Sequence, residues 1–283
     1  MRIAIVYLAA ALAFSAYDYG AVAEQTTEYL ISYTYYVAET EAVPSAIRVP
    51  VLAYHSIMSH EFYYPINVDN PWILSEEVFY AHMRFLYDNG FTALTSEQFM
   101  YFLFYGGDLP PNPVVITFDD GYLDNYLFAA PIMRQFGFTG MMFLITNAAP
   151  TMTPSMTAHP VQFMSAAEII ASSDVFEHAS HSHAMHRTVD GRVPFEFESI
   201  ETIRNDIRQS FEAPLNLFTA FAYPHGVHSP NAITALRAEG IRFAFATHAG
   251  YVYRRTDPFR LPRFLITSEW SMEDFKNIFL EEI

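Results

Sequence analysis

Two adjacent carboxylates, Asp119 and Asp120, follow an apolar run in Thr117-Phe118-Asp119-Asp120-Gly121. Like charges this close push one carboxyl pKa up unless a cation neutralises the pair. The preceding Val114–Phe118 reads as a short buried strand, and a strand end points consecutive side chains in different directions. One carboxylate is then free to bind a metal while its neighbour handles a proton. Asp-Asp-Gly is also ordinary turn chemistry, so the pair alone leaves both readings open. Further along, His178, His181, His183 and His186 fall within nine positions at the end of another strand candidate, Val175–Ala179. Packing seldom calls for so many imidazoles, whereas neutral imidazole is the commonest metal ligand. A solvated His-rich loop is the competing reading. Together with the Asp pair, two His and one carboxylate make a recurrent hydrolytic zinc set with a position left open for water. The chain has no Cys, so thiolate chemistry and disulfides are excluded and any metal must be held by His, Asp or Glu.

The elements that must position these groups alternate between β-rich and helical patterns, the mark of an α/β fold. Val49–Tyr54 is the first strand candidate. Ser75 starts a helix with Phe79, Met83 and Leu86 on one face, ended by Gly90. Thr95 and Gln98 spell a capping box for a second helix, closed by Gly106-Gly107, and Ser165 with Glu168 spells another before a helix through Ile170. Gly140–Ile145 is a further strand. Ile200, Ile203, Ile207 and Phe211 mark an amphipathic helix, followed by the strand Phe218–Tyr223. Ser229-Pro230 opens a helix that Gly240 ends. Phe243–Thr247 and Phe264–Thr267 are the last strands, before a closing helix from Ser271. No internal repeat or second domain is evident.

Composition bounds the function. Hydrophobic residues make up 52% and charged residues 16% of the 283 residues, which supplies a core and excludes a disordered chain. A formal charge of −16 argues against nucleic acid and anionic membranes as partners, because phosphate binding needs clustered Lys and Arg. Met1-Arg2, the apolar run Ile3–Ala16 and the small-x-small site Ala21-Val22-Ala23 form the pattern of a secretory signal peptide over 1–23. That run is shorter than the roughly 20 residues a membrane span requires, so no integral span is expected after its removal. Residues 24–47 read as a leader or linker and 48–283 as the functional domain. Tyr clusters at 29–36, 101–105, 122–126 and 251–253 read as core or ordinary surface.

Over about Val49 to Ile266 the chain resembles the polysaccharide deacetylases with a NodB-homology domain (carbohydrate esterase family four), most closely their biofilm-type members. Val51-Leu52-Ala53-Tyr54-His55 resembles the opening strand. Leu109-Pro110 with Val115 to Tyr122 resembles the first catalytic motif, and Ser180-His181-Ser182 with Met185-His186 the second. The resemblance implies a distorted (β/α)7-type barrel. It implies Asp119 as general base, Asp120, His181 and His186 as metal ligands, and Zn²⁺ as the metal, with Co²⁺ or Ni²⁺ as alternatives. His183 competes as a ligand, and His178 reads as structural. Phe221-Ala222-Tyr223-Pro224-His225-Gly226 resembles the groove-lining third motif, which places Tyr223 and His225 at the substrate, with a backbone N–H at His225 as the oxyanion contact.

The sequence departs from the family pattern at two of these positions. Many relatives carry an Arg that braces the catalytic Asp where Ala222 stands, and an aromatic where His225 stands. Leu261-Pro262-Arg263 resembles a late-strand segment of the biofilm-type group, and Arg263 is expected to supply the missing bracing charge. A general acid is implied from a late strand: His248, with His225 and His228 as alternatives. His55 is expected to line the pocket or support a ligand. The implied activity is removal of N-acetyl groups from an N-acetylglucosamine polymer by an exported enzyme. An O-acetyl esterase on xylan or peptidoglycan and a non-catalytic glycan-binding domain are the alternatives.

Overall fold

The computed structural model describes residues 47–59, 70–150, 162–213, 215 and 217–280. The expected signal peptide, residues 24–46 of the expected leader and the Tyr cluster at 29–36 lie outside the described residues. In chain order the elements are β1 (Val49–Tyr54), β2 (Ser56–Met58), β3 (Ile73–Ser75), α1 (Glu76–Asp88), β4 (Thr92–Ala93), α2 (Ser96–Tyr105) and β5 (Pro113–Phe118). A π-helical turn (Asn125–Ala129) leads into α3 (Ala130–Phe136), followed by β6 (Gly140–Leu144), α4 (Ala166–Ala171) and β7 (Phe176–Ser180). Then come α5 (Pro194–Phe197), α6 (Ile200–Glu212), β8 (Ala220–Ala222), a 3₁₀ turn (Pro224–Gly226), α7 (Pro230–Ala238) and β9 (Phe243–Phe245). β10 (Tyr251–Val252), β11 (Phe264–Leu265) and α8 (Met272–Leu280) complete the fold. Both capping boxes read from the sequence form, Thr95 with Gln98 at α2 and Ser165 with Glu168 at α4.

Parallel pairing runs β1-β5-β6-β7-β8-β9. Leu261 then bridges to Phe245 of β9, and three residues later β11 pairs with β1 through Leu52 and Ala53. The 261–265 segment is therefore the stave that closes the sheet into a barrel. The closure is uneven: β7 and β8 meet only at Ser180 and Phe221, and β8 and β9 are three residues long. This is the distorted (β/α)7 barrel. The last strands are shorter than the sequence patterns suggest, because the chain leaves the sheet there to build loops.

Side-chain alternation divides the apolar residues into layers. Val51, Val115, Met141, Phe143, Ala179, Ala222, Phe245 and Leu261 fill the barrel. Leu52, Tyr54, Ile116, Phe118 and Met142 face outward beneath α1, α3 and α8. Phe221, Tyr223 and Ala244 face outward beneath α6 and α7. Helix α2 plugs one end. Its Phe99 ring lies 5.4 Å from Phe243 and 5.7 Å from Phe245, and such burial contributes about 1.5–3 kcal/mol per large apolar side chain. Glu177 at the start of β7 accepts from Ser96 N (2.6 Å) and Ser96 Oγ (2.7 Å), holding the N-terminus of α2 in the plug. With that end filled, ligands reach the barrel only from the C-terminal ends of the strands, the functional face of such folds.

Outside the barrel, His82 of α1 is buried and stacks on Phe275 of α8 with ring centroids 3.8 Å apart. Burial pushes its pKa from 6.5 down to about 4, so the folded state excludes a proton that the unfolded chain accepts. The neutral ring's contribution is complete above about pH 6.5 and is lost as pH falls towards 4, up to about 3 kcal/mol. Thermal unfolding followed from pH 7.5 to 4.5 should show Tm falling across that window. His82→Phe, which keeps the stack, should flatten part of the slope.

Candidate active site

Strand β5 ends by aiming its two carboxylates differently. Asp119 N donates to Tyr54 O (2.9 Å), which keeps the residue in the ladder with its side chain turned into the barrel. Asp120 then takes a left-handed conformation (φ 70°), as does Gly121 (φ 82°), and the chain reverses over the rim. Asp tolerates that region better than most residues. Gly121 is favoured there by its positive φ, and a Cβ would also have to displace Leu144 Cδ2, 2.7 Å away.

Inside the barrel Asp119 meets Arg263, whose side chain is fully buried. Arg263 Nη1 and Nη2 each donate to one Asp119 oxygen at 2.7 Å, a bidentate pair. Its Nε donates to Ala246 O (3.0 Å), and Nη1 also donates to Thr117 Oγ1 (3.2 Å). Phe143 and Phe245 flank the guanidinium at 5.9 and 5.6 Å. Burial alone would raise the Asp119 pKa, but the Arg263 charge and hydrogen bonds, with His181 nearby, hold it well below the usual carboxylate range. Asp119 is therefore ionised at neutral pH.

Asp120 joins a second constellation. Its Oδ1 lies 3.5 Å from His181 Nε2 and 3.3 Å from His186 Nε2. His181 Nδ1 donates to Ala222 O (2.7 Å), so the proton sits on that nitrogen and Nε2 presents a lone pair. Burial lowers the His181 pKa to about 3 and that of His186 as well, so these rings are neutral and the short separations are not ion pairs. Asp120 Oδ1 is buried without a hydrogen-bond partner. A buried, orphaned carboxylate oxygen facing two imidazole nitrogens fits a divalent cation, and all three donor atoms lie within 4.8 Å of one another.

The His-rich loop is fixed from behind. Asp206 of α6 accepts from His183 N and Ala184 N, both at 2.8 Å. This turns His183 away, where its Nδ1 meets Thr146 Oγ1 (2.9 Å), so it does not compete as a ligand. His178 faces the outer layer beside Ser172 Oγ (3.4 Å).

These groups open into a cleft of about 360 Å³ also lined by His55, Trp72, Tyr122, His225, Gly226, Thr247 and Leu265. The His55 ring packs on Trp72 at 4.7 Å, and its Nδ1 is buried without a partner. His225 adopts φ 54° and stacks on His186 at 4.5 Å. Gly226 lets that turn approach Thr247, whose Oγ1 a Cβ would meet at 1.9 Å.

Two of the expected residues lie elsewhere. His248 is exposed and off the cleft, contributing only its carbonyl to Arg263 N (3.0 Å), because Thr247 takes the inward place in this segment. Tyr223 faces the outer helical layer and donates its hydroxyl to Phe259 O (3.1 Å), since Ala222 holds the inward position of β8. His228 packs beside Tyr223 at 5.2 Å, off the cleft lining. Trp72 and Asp206 have no motif around them that marks them in the sequence. Tyr122, which hydrogen-bonds Asp120, is signalled only by following Gly121 after the Asp pair.

A family model described as polysaccharide deacetylase matches residues 106–244. A Bacillus subtilis protein assigned to the polysaccharide deacetylases is 26% identical over 232 residues, 81% of this chain and 75% of the relative. A poly-beta-1,6-N-acetyl-D-glucosamine N-deacetylase of Staphylococcus epidermidis is 25% identical over 204 residues, 69% of this chain and 68% of its own. The fold is shared with a Streptococcus pyogenes deacetylase solved with acetate, at TM-score 0.69 and 20% identity over 83% of this chain and 99% of that one.

Replacing Arg263 by Met should leave Asp119 buried and unpaired, at a cost of about 3–5 kcal/mol, while sparing the Asp120–His181–His186 donors. Denaturant unfolding should report the loss, and elemental analysis after zinc loading should return unchanged metal content. Stability equal to the parent's would contradict the bracing role.

Proposed function

We propose that this chain, which belongs to the polysaccharide deacetylase family, is a metal-dependent hydrolase that removes N-acetyl groups from an N-acetylglucosamine polysaccharide and releases acetate. The observation that carries this reading is the juxtaposition, in one cleft, of an ionised Asp119 and the Asp120–His181–His186 donor set, whose Asp120 Oδ1 has no hydrogen-bond partner. The relative that acts on poly-β-1,6-N-acetylglucosamine supports an amino-sugar polymer as substrate. The N-terminal apolar run supports export, and no helix among the described residues is long and apolar enough to cross a membrane.

Asp120, His181 and His186 would hold a divalent ion, Zn²⁺ first, with Co²⁺ and Ni²⁺ as alternatives; when bound, it supplies Lewis acidity at the acetyl carbonyl and lowers the pKa of water. Asp119 accepts a proton from the attacking water through lone pairs that Arg263 leaves free. Because Arg263 keeps it strongly acidic, Asp119 gives that proton up again readily. His225 lines the cleft on a left-handed turn (φ 54°), and its backbone N–H is the oxyanion donor in this reading. The leaving amine needs a proton. Burial lowers the His55 pKa, so its resting ring is neutral. With Nδ1 unpartnered in the cleft wall, it is the imidazole best placed to take up the proton that Asp119 releases and pass it to the amine. His225 has the other cleft imidazole free of the donor set, but it stacks over His186.

Acetate release from β-1,6-linked N-acetylglucosamine oligomers, measured on zinc-loaded protein, tests the proposal. Asp119→Asn should lower turnover by about 10²- to 10⁴-fold at unchanged metal content. Chelation should abolish release and zinc should restore it. Metal-loaded, folded protein that releases no acetate from these oligomers or their β-1,4 counterparts would overturn the reading.

A further inference from the structure

The wall of the cleft at His55 is held by side chains that this chemistry leaves unused. Asp124 and Asn125 stand at the head of the π-helical turn, where Ala130 N donates to Asn125 O. Such turns add a residue to the helical turn and concentrate at functional sites. Here the two consecutive residues aim at one stretch of chain. Asn125 Nδ2 donates to His55 O at 2.6 Å. Asp124 Oδ2 accepts from Ser56 Oγ at 2.5 Å, and its Oδ1 faces Ile57 N at 3.4 Å. Residues 55, 56 and 57 are thus gripped in succession.

The grip is not what stability alone would select. Asp124 and Asn125 are both buried, and Asp124 has no Lys, Arg or His ion-pair partner among the described residues. Asn125 Oδ1 has no hydrogen-bond partner. Burying an unpaired carboxylate and an orphaned amide oxygen is unfavourable, and apolar packing would hold two strands together as well. Burial raises the Asp124 pKa to about 7 even though Ser56, Ile57 and the Asn125 backbone hydrogen-bond to it.

We propose that Asp124, Asn125 and Ser56 are positioning residues that fix the aim of the His55 imidazole, and so govern protonation of the leaving group rather than the metal donors or the fold. The inference rests on the proton-donor reading of His55 given above. Its test compares leaving groups. An N-acetyl oligomer expels an amine that needs a proton, whereas 4-nitrophenyl acetate expels a phenolate that leaves without one.

On the zinc-loaded full chain, Asn125→Ala and Ser56→Ala should each lower kcat for the β-1,6-linked oligomer about 10–100-fold, with KM, zinc content and 4-nitrophenyl acetate turnover within about twofold of the parent. His55→Gln should show the same split, and Asn125→Ala should add nothing in the His55→Gln background. Equal losses on both substrates, or additive losses in the double variant, would overturn the inference. A His55→Gln protein without the split would overturn the role of His55 and the clamp with it. Parent protein inert on both substrates would sink the hydrolase reading itself. Ser56→Ala removes a single hydroxyl and carries the test if Asn125→Ala does not fold.

Discussion

A bidentate ion pair inside an apolar barrel is the constraint around which the rest is arranged. Arg263 and Asp119 are both removed from water, and neither charge is tolerable there without the other. The pair demands a barrel just wide enough for one guanidinium between Phe143 and Phe245, with Ala222 small enough to leave room on the inner face. It also demands acceptors for the remaining donors, which Ala246 O and Thr117 Oγ1 provide. Thr117 in turn donates to Leu52 O (2.8 Å), tying the pair to β1. The charge balance of the interior is settled before any substrate arrives.

On this base the neighbouring carboxylate takes the opposite role. Asp119 is paired with Arg263 and points inward, while Asp120, one residue on, is turned over the rim and left with an oxygen unpaired. A single left-handed residue separates a carboxylate neutralised by Arg263 from one with an oxygen free of any hydrogen bond. The His loop completes the contrast: His181 is locked in one tautomer by Ala222 O, and Asp206 sets the loop that carries His186 while diverting His183. Two carboxylates of the same type, adjacent in sequence, acquire different chemistry from geometry alone.

The chemistry was legible where it is local. The Asp pair and the His cluster are compact motifs at strand ends, and the capping boxes announce their helices within four residues. Arg263 was legible only through the family resemblance, in which Ala222 stands where many relatives carry the bracing Arg, because its partner lies 144 residues away. The misplacements at Tyr223 and His248 share one cause. A residue at the end of a three-residue strand faces in or out according to a parity that a single register step reverses, and sequence does not fix that step. Strands β4 and β10 have two residues each, too few to show any period. Asp124-Asn125 carries no motif in the sequence, and only the fold shows both side chains buried against residues 55–57.

The closing stave has a consequence in time as well as space. Residues 261–265 are the last strand segment to be made, and they carry the guanidinium that neutralises Asp119. While that segment is still inside the ribosome, Asp120, His181 and His186 already exist and β1 to β9 are available for pairing. Asp119, however, faces an open seam and an unbalanced charge. An emerging chain thus carries the three donors before Asp119 has its counter-ion, and the final stave brings barrel closure and charge balance in a single step.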